Sequence, residues 1–107
     1  IGDVRGKDVI LYDDMVDTGG SLVGAAKALV ETGGAKTIYA CASHGVLSGP
    51  AIQRINESYI EELIFTDTIP YPGAIPSDKI KYISAAPLFA EAIDRIYEEV
   101  SISTLFR

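Results

Sequence analysis

Apolar and polar positions alternate along the chain in blocks that change period, and the blocks predict the elements. Asp8 to Tyr12 is a continuous run (Val9, Ile10, Leu11) that predicts a buried strand. Asp13 to Gly20 is polar and ends in two glycines, so it predicts a turn. Leu22, Ala25, Ala26, Leu29 and Val30 then repeat at the spacing of one helix face. Gly33 and Gly34 stop that helix. Lys36 to Ala42 predicts a second buried strand, and Ser43 to Gly49 a loop. Pro50 suits the first turn of a short helix capped by Ser48 or Gly49, with Ile52 and Ile55 facing inward. Glu62 to Thr66 predicts a third strand. Asp67 to Ser77, with Pro70, Pro72, Gly73 and Pro76, must be a loop. Ile80 to Ser84 predicts a fourth strand. Pro87 opens a last helix whose face is Phe89, Ala92, Ile93, Ile96 and Val100.

Strands that alternate with helices imply an α/β fold. Continuous apolar strands imply a mostly parallel twisted sheet with helices on both faces. In such sheets ligands lie beyond the carboxyl ends of the strands. Three polar loops fall there: Asp13–Ser21, Ser43–Gly49 and Asp67–Ser77.

Composition narrows the classes of function. The 107 residues suffice for one domain. Hydrophobic residues make up 48% and charged residues 22%, as in a packed domain rather than a disordered chain. Nine Lys plus Arg against fifteen Asp plus Glu give a formal charge of −6, which argues against nucleic acid and against an anionic membrane as partners. Cys41 is the only cysteine, which fits a reducing, cytoplasmic setting, and no Cys/His cluster offers a structural zinc site. The start at Ile1, without methionine, suggests a fragment of something longer.

The chemistry concentrates between Val9 and Leu22. A hydrophobic strand ends in Asp13 and Asp14, and a turn of Asp17, Thr18, Gly19, Gly20 and Ser21 feeds a helix. A helix start offers unpaired N–H groups and a partial positive charge. Glycines let the backbone approach an anion closely, and Thr18 and Ser21 add hydroxyl donors. Together they predict a phosphate cradle that needs no Lys or Arg. Two carboxylates beside a phosphate would repel it unless they address sugar hydroxyls or a magnesium ion. The predicted ligand is therefore a phosphorylated polyol. The plain alternative is an ordinary helix cap made by Asp17, Thr18 or Ser21.

This segment resembles the phosphoribosyl-diphosphate binding motif of the type I phosphoribosyltransferase fold. Further along, Ser43-His44-Gly45, Ser48-Gly49-Pro50-Ala51, Thr66-Asp67-Thr68-Ile69-Pro70, Ala86-Pro87-Leu88 and Ser101-Ile102-Ser103-Thr104-Leu105-Phe106 resemble, in order, the carboxyl-terminal half of ribose-phosphate diphosphokinases, the phosphoribosyl-diphosphate synthetases. The resemblance runs over residues 1–107. It implies an enzyme, a transferase, that moves the diphosphoryl group of ATP to the C1 hydroxyl of ribose 5-phosphate with magnesium. It implies that Asp17, Thr18, Gly19, Gly20 and Ser21 bind the 5-phosphate, and that Asp13 and Asp14 hold the ribose hydroxyls directly or through a metal. It suggests an allosteric site for phosphate or ADP at Ser101, Ser103 and Phe106, and a cytoplasmic homohexamer.

The resemblance also locates what this chain lacks. The adenine site, the main metal ligands and the catalytic loop with its Lys and Arg are expected before Ile1. Arg5 and Lys7 precede the first strand and belong at its opposite end. These residues alone are thus expected to supply a ribose 5-phosphate site without turnover, with no catalytic or metal-ligating residue of their own. His44 is expected to be a hydrogen-bonded structural residue, and Tyr12 and Tyr39 to pack in the core. Asp17-Thr18-Gly19 also spells the aspartic protease triplet, but that chemistry needs an all-β dimer, which the helix after Leu22 excludes. Gly2 to Asp8 is one residue short of a Walker phosphate loop and lacks the hydroxyl after Lys7. A salvage phosphoribosyltransferase and a regulatory homologue without turnover remain open.

Overall fold

The computed structural model describes residues 2–73 and 75–98. Its elements in chain order are β1 (Asp8–Val16), α1 (Gly20–Glu31), β2 (Thr37–Gly45), α2 (Ala51–Asn56), β3 (Ile60–Thr66), β4 (Ile80–Ile83) and α3 (Ala86–Tyr97). The four strands form one parallel sheet in the order β1-β2-β3-β4. The α/β class and the parallel sheet agree with the sequence pattern.

Strand order explains where the core sits. Each crossover moves the chain one strand in the same direction. Right-handed connections then place α1 and α2 on the same face of the sheet. There Ile38, Ile60, Leu63 and Phe65 from the sheet pack with Leu22 and Ala26 of α1 and Ala51, Ile52 and Ile55 of α2. Each buried Ile, Leu or Phe contributes roughly 1.5–3 kcal/mol of transfer free energy.

The expected second layer of helices does not cover the other face among the described residues. Along β1 and β2 burial alternates rather than running continuously. Ile10 is 72% exposed and Tyr12 75%, while Tyr39 and Ile83 are also exposed. Tyr12 and Tyr39 are therefore not core residues. The apolar runs that predicted burial on both faces are real, but sequential strand order brings both crossovers to one side. The last helix shows the same effect. No side chain of α3 is buried, and Phe89, Ile93 and Ile96 are exposed. Val100 lies outside the described residues.

The strands also run further than their apolar runs. The β1–β2 ladder continues through Asp13↔Ala42, Met15↔His44 and Val16↔Gly45. Backbone pairing does not depend on side-chain polarity, so Asp13 and Asp14 are strand residues rather than turn residues. The cap of α2 is Pro50 itself, not Ser48 or Gly49. Among the described residues no helix is long and apolar enough to cross a membrane.

Candidate functional site

The glycine turn forms where β1 ends and α1 begins. Gly19 is the N-cap of α1, in the left-handed region at φ 79° and ψ −3°, a conformation a side chain resists. No side chain caps the helix and its first turn holds no acidic residue. The first intrahelical bond of this end runs from Val23 N–H to the Gly19 carbonyl at 3.0 Å. The amides of Gly20, Ser21 and Leu22 precede it and have no acceptor within the helix. Asp17, Thr18 and Ser21 therefore do not serve as a plain cap. Their exposed side chains border a cleft of about 190 Å³ that is also lined by Asp13, Met15, Gly19 and Gly20.

Asp13 and Asp14 part company at this point. Successive side chains on a strand point to opposite faces. Asp13, half-buried, falls on the side of α1 and lines the cleft, whereas Asp14 is exposed and does not line it. The two stay linked, because the Asp14 N–H donates to Asp13 Oδ1 at 2.8 Å. Hydrogen bonding from the Asp14 carboxyl, and then from its N–H, holds the Asp13 carboxyl below the usual carboxylate range. Asp13 is thus disposed to remain an anion that accepts from hydroxyl groups or a cation.

The second loop supports the turn without lining the cleft. The Val16 carbonyl accepts from Val46 and Leu47 N–H at 3.0 and 3.2 Å, and the Asp17 carbonyl from Ser48 N–H at 2.8 Å. Leu47 is buried and sits at φ 56°, a left-handed conformation that is strained for a branched side chain and typically costs about 1–3 kcal/mol. The third loop ties to the second rather than to the cleft. His44 Nδ1 pairs with the Thr68 hydroxyl at 2.6 Å, and the Ala85 N–H donates to Asp67 Oδ1 at 2.8 Å. His44 is hydrogen-bonded, as the sequence suggested.

Arg54 was missed by the sequence reading. From α2 its Nη1 donates to the Thr18 carbonyl at 3.1 Å. No spacing rule links residues 36 positions apart, so nothing local announces the contact. Arg5 and Lys7 lie at the far end of the sheet, as expected: Arg5 packs against Gly34, and the Lys7 carbonyl accepts from Lys36 N–H at 2.8 Å. Among the described residues no group of three or more His, Cys, Asp or Glu could hold a metal ion. Asp13 and Asp14 are the carboxylates that this end of β1 provides. Ser101, Ser103 and Phe106 lie outside the described residues.

Comparison with known proteins places this geometry. Residues 1–107 match the family model described as the phosphoribosyl synthetase-associated domain. The ribose-phosphate pyrophosphokinase of Caldanaerobacter subterraneus subsp. tengcongensis is 62% identical over 106 residues, covering 99% of this chain and 33% of that protein. The ribose-phosphate pyrophosphokinase of Clostridium tetani is 58% identical over 106 residues, with the same coverage. The crystal structure of phosphoribosylpyrophosphate synthetase from Mycobacterium smegmatis superposes with a TM-score of 0.87 at 43% identity, over 92% of this chain and 33% of that one. The chain therefore spans about a third of the length of the relatives it matches.

Proposed function

The chain belongs to the phosphoribosyl synthetase-associated domain family, and on that premise we propose that it is the carboxyl-terminal, ribose 5-phosphate-binding part of a ribose-phosphate pyrophosphokinase. Residues 1–107 form that domain. The observation that carries the reading is the glycine turn at the uncapped start of α1, which opens on a cleft beside Asp13. The named relatives are pyrophosphokinases, which favours a synthetase over a salvage transferase.

In this reading the amides of Gly19, Gly20 and Ser21, the hydroxyls of Thr18 and Ser21, and the Asp17 backbone grip the 5-phosphate. Asp13 accepts from the ribose hydroxyls inside the cleft, and Asp14 does so from its rim or through a cation. The C1 oxygen of the bound sugar attacks the β-phosphorus of ATP, the bond to the α-phosphate oxygen breaks, and AMP leaves. The hydroxyl proton passes to a base outside this chain. Positioning and charge neutralisation carry most of such a transfer. This chain contributes the positioning of the pentose, without turnover of its own.

Magnesium supplies charge neutralisation for the diphosphoryl group when bound. Asp13 and Asp14 would meet it only where they hold the ribose hydroxyls through a metal, and its main ligands belong to the rest of the enzyme. ATP is held there too. The working enzyme is assigned as a cytoplasmic homohexamer, with phosphate or ADP regulating it at Ser101, Ser103 and Phe106.

The test is a chimera in which this chain replaces the matching third of the Caldanaerobacter enzyme. It should form phosphoribosyl diphosphate and AMP from ATP and ribose 5-phosphate. A folded chimera that fails to bind ribose 5-phosphate would sink the assignment. A chimera that binds it without turnover would point to the regulatory homologue.

A further inference from the structure

Resting on that assignment of the turn, we propose that Arg54 is a positioning residue that aims the turn's amides at the phosphate. Arg54 is not among the residues that line the cleft; it acts from behind them, through the peptide between Thr18 and Gly19. A trans peptide is planar, with its C=O and N–H pointing in opposite directions. Arg54 Nη1 holds the Thr18 carbonyl toward α2 at 3.1 Å. The Gly19 N–H of the same plane must then point away from α2, to the side where Thr18, Gly19 and Gly20 border the cleft. With that peptide flipped, a carbonyl oxygen would face the phosphate and repel it.

Two further observations fit this role. Gly19 lies against α2, where a Cβ would meet Ala51 Cα at 3.6 Å, so turn and helix are already in contact. A Cβ on Gly20 would stand 3.3 Å from the same Nη1, so the second glycine leaves room for the guanidinium as well as for the ligand. The charge adds to the geometry. A cation bonded to a carbonyl polarises its peptide and strengthens the N–H on the other side as a donor. A turn without Lys or Arg of its own is thus given a positive charge from behind, where it cannot block the pentose.

The test titrates the full chain with inorganic phosphate and with ribose 5-phosphate, following amide shifts by NMR, for the native protein and for Arg54→Gln and Arg54→Lys. Arg54 is exposed, so both variants should keep their fold, and thermal melts check this. Arg54→Gln should weaken phosphate binding by about tenfold, the scale of one hydrogen bond to a charged group, and shrink the Gly19 amide shift on binding. Arg54→Lys, which keeps the charge and a donor, should recover most of the affinity. In the chimera, Arg54→Gln should raise KM for ribose 5-phosphate while leaving kcat and KM for ATP nearly unchanged. Equal phosphate binding by native and Gln proteins overturns the role. So does an equal loss in the Gln and Lys variants with a lowered melting temperature, which would make Arg54 a general structural residue. If the native chain binds phosphate but gains nothing from the ribose, the pentose assignment falls, and the phosphate titration still decides Arg54.

Discussion

Helices α1 and α3 each have twelve residues and an apolar stripe, yet among the described residues only α1 is packed. Leu22 and Ala26 of α1 are buried, whereas Ile93 of α3 is 67% exposed and Ile96 65%. Position in the topology separates them. α1 lies between two neighbouring parallel strands, so the crossover presses it onto the sheet. α3 leaves β4 at the sheet's edge and has no following strand among the described residues. Local features that favour it are Pro87 in the first turn and a Glu91–Arg95 pair at 3.1 Å whose expected worth is about 0.3–0.5 kcal/mol. Amphipathicity makes a helix ready to pack, and the connection decides whether it does. The candidate site stands on the packed helix, where its amides have a fixed direction.

Core truncation should separate the two regions most sharply. Phe65→Ala should cost about 3–5 kcal/mol in chemical denaturation, because the ring is fully buried beneath Gly45. Ile93→Ala should change stability by less than about 0.5 kcal/mol. Comparable losses would show that α3 is packed in solution and erase the contrast. Next in size is Gly33→Ala at the end of α1, where a Cβ would lie 2.7 Å from the Leu29 carbonyl oxygen and 2.9 Å from Val4 Cγ2. It should cost roughly 1–3 kcal/mol, and an unchanged midpoint would mean this junction is looser than described.

Gly19→Ala tests whether rigidity at the α1 start serves the ligand. The left-handed φ should cost about 1–2 kcal/mol, and phosphate binding should fall by more than stability alone explains. Intact binding would detach the cleft from the turn. The smallest effect is a pH dependence. The Asp13 carboxyl titrates below its ordinary 3.8, so its contribution is present above that pH and fades as pH falls through the lower folded value. Asp13→Asn should remove that contribution at neutral pH and flatten the dependence of stability on pH in the acid range. A flattening at neutral pH would contradict the assigned direction.

Much of the site was legible because its determinants are local. Val9 to Leu11, the paired glycines and the stripe from Leu22 to Val30 fix strand, turn and helix within a few residues of each other. The division between Asp13 and Asp14 was less legible. They read as a polar turn, and the pairing with Ala42 and its neighbours made them strand residues on opposite faces. Tyr12 and Tyr39 read as core because an apolar run does not say which face is covered.

By itself the sequence determined the order of elements, the parallel sheet and the glycine turn at the start of α1, since hydrophobic period and glycine freedom act over short stretches of chain. Tertiary structure alone decided which sheet face is packed, that α3 stands uncovered among the described residues, and that Arg54 reaches the Thr18 carbonyl. These depend on which strand lies beside which, and proximity between residues far apart in the chain leaves no local mark on either of them.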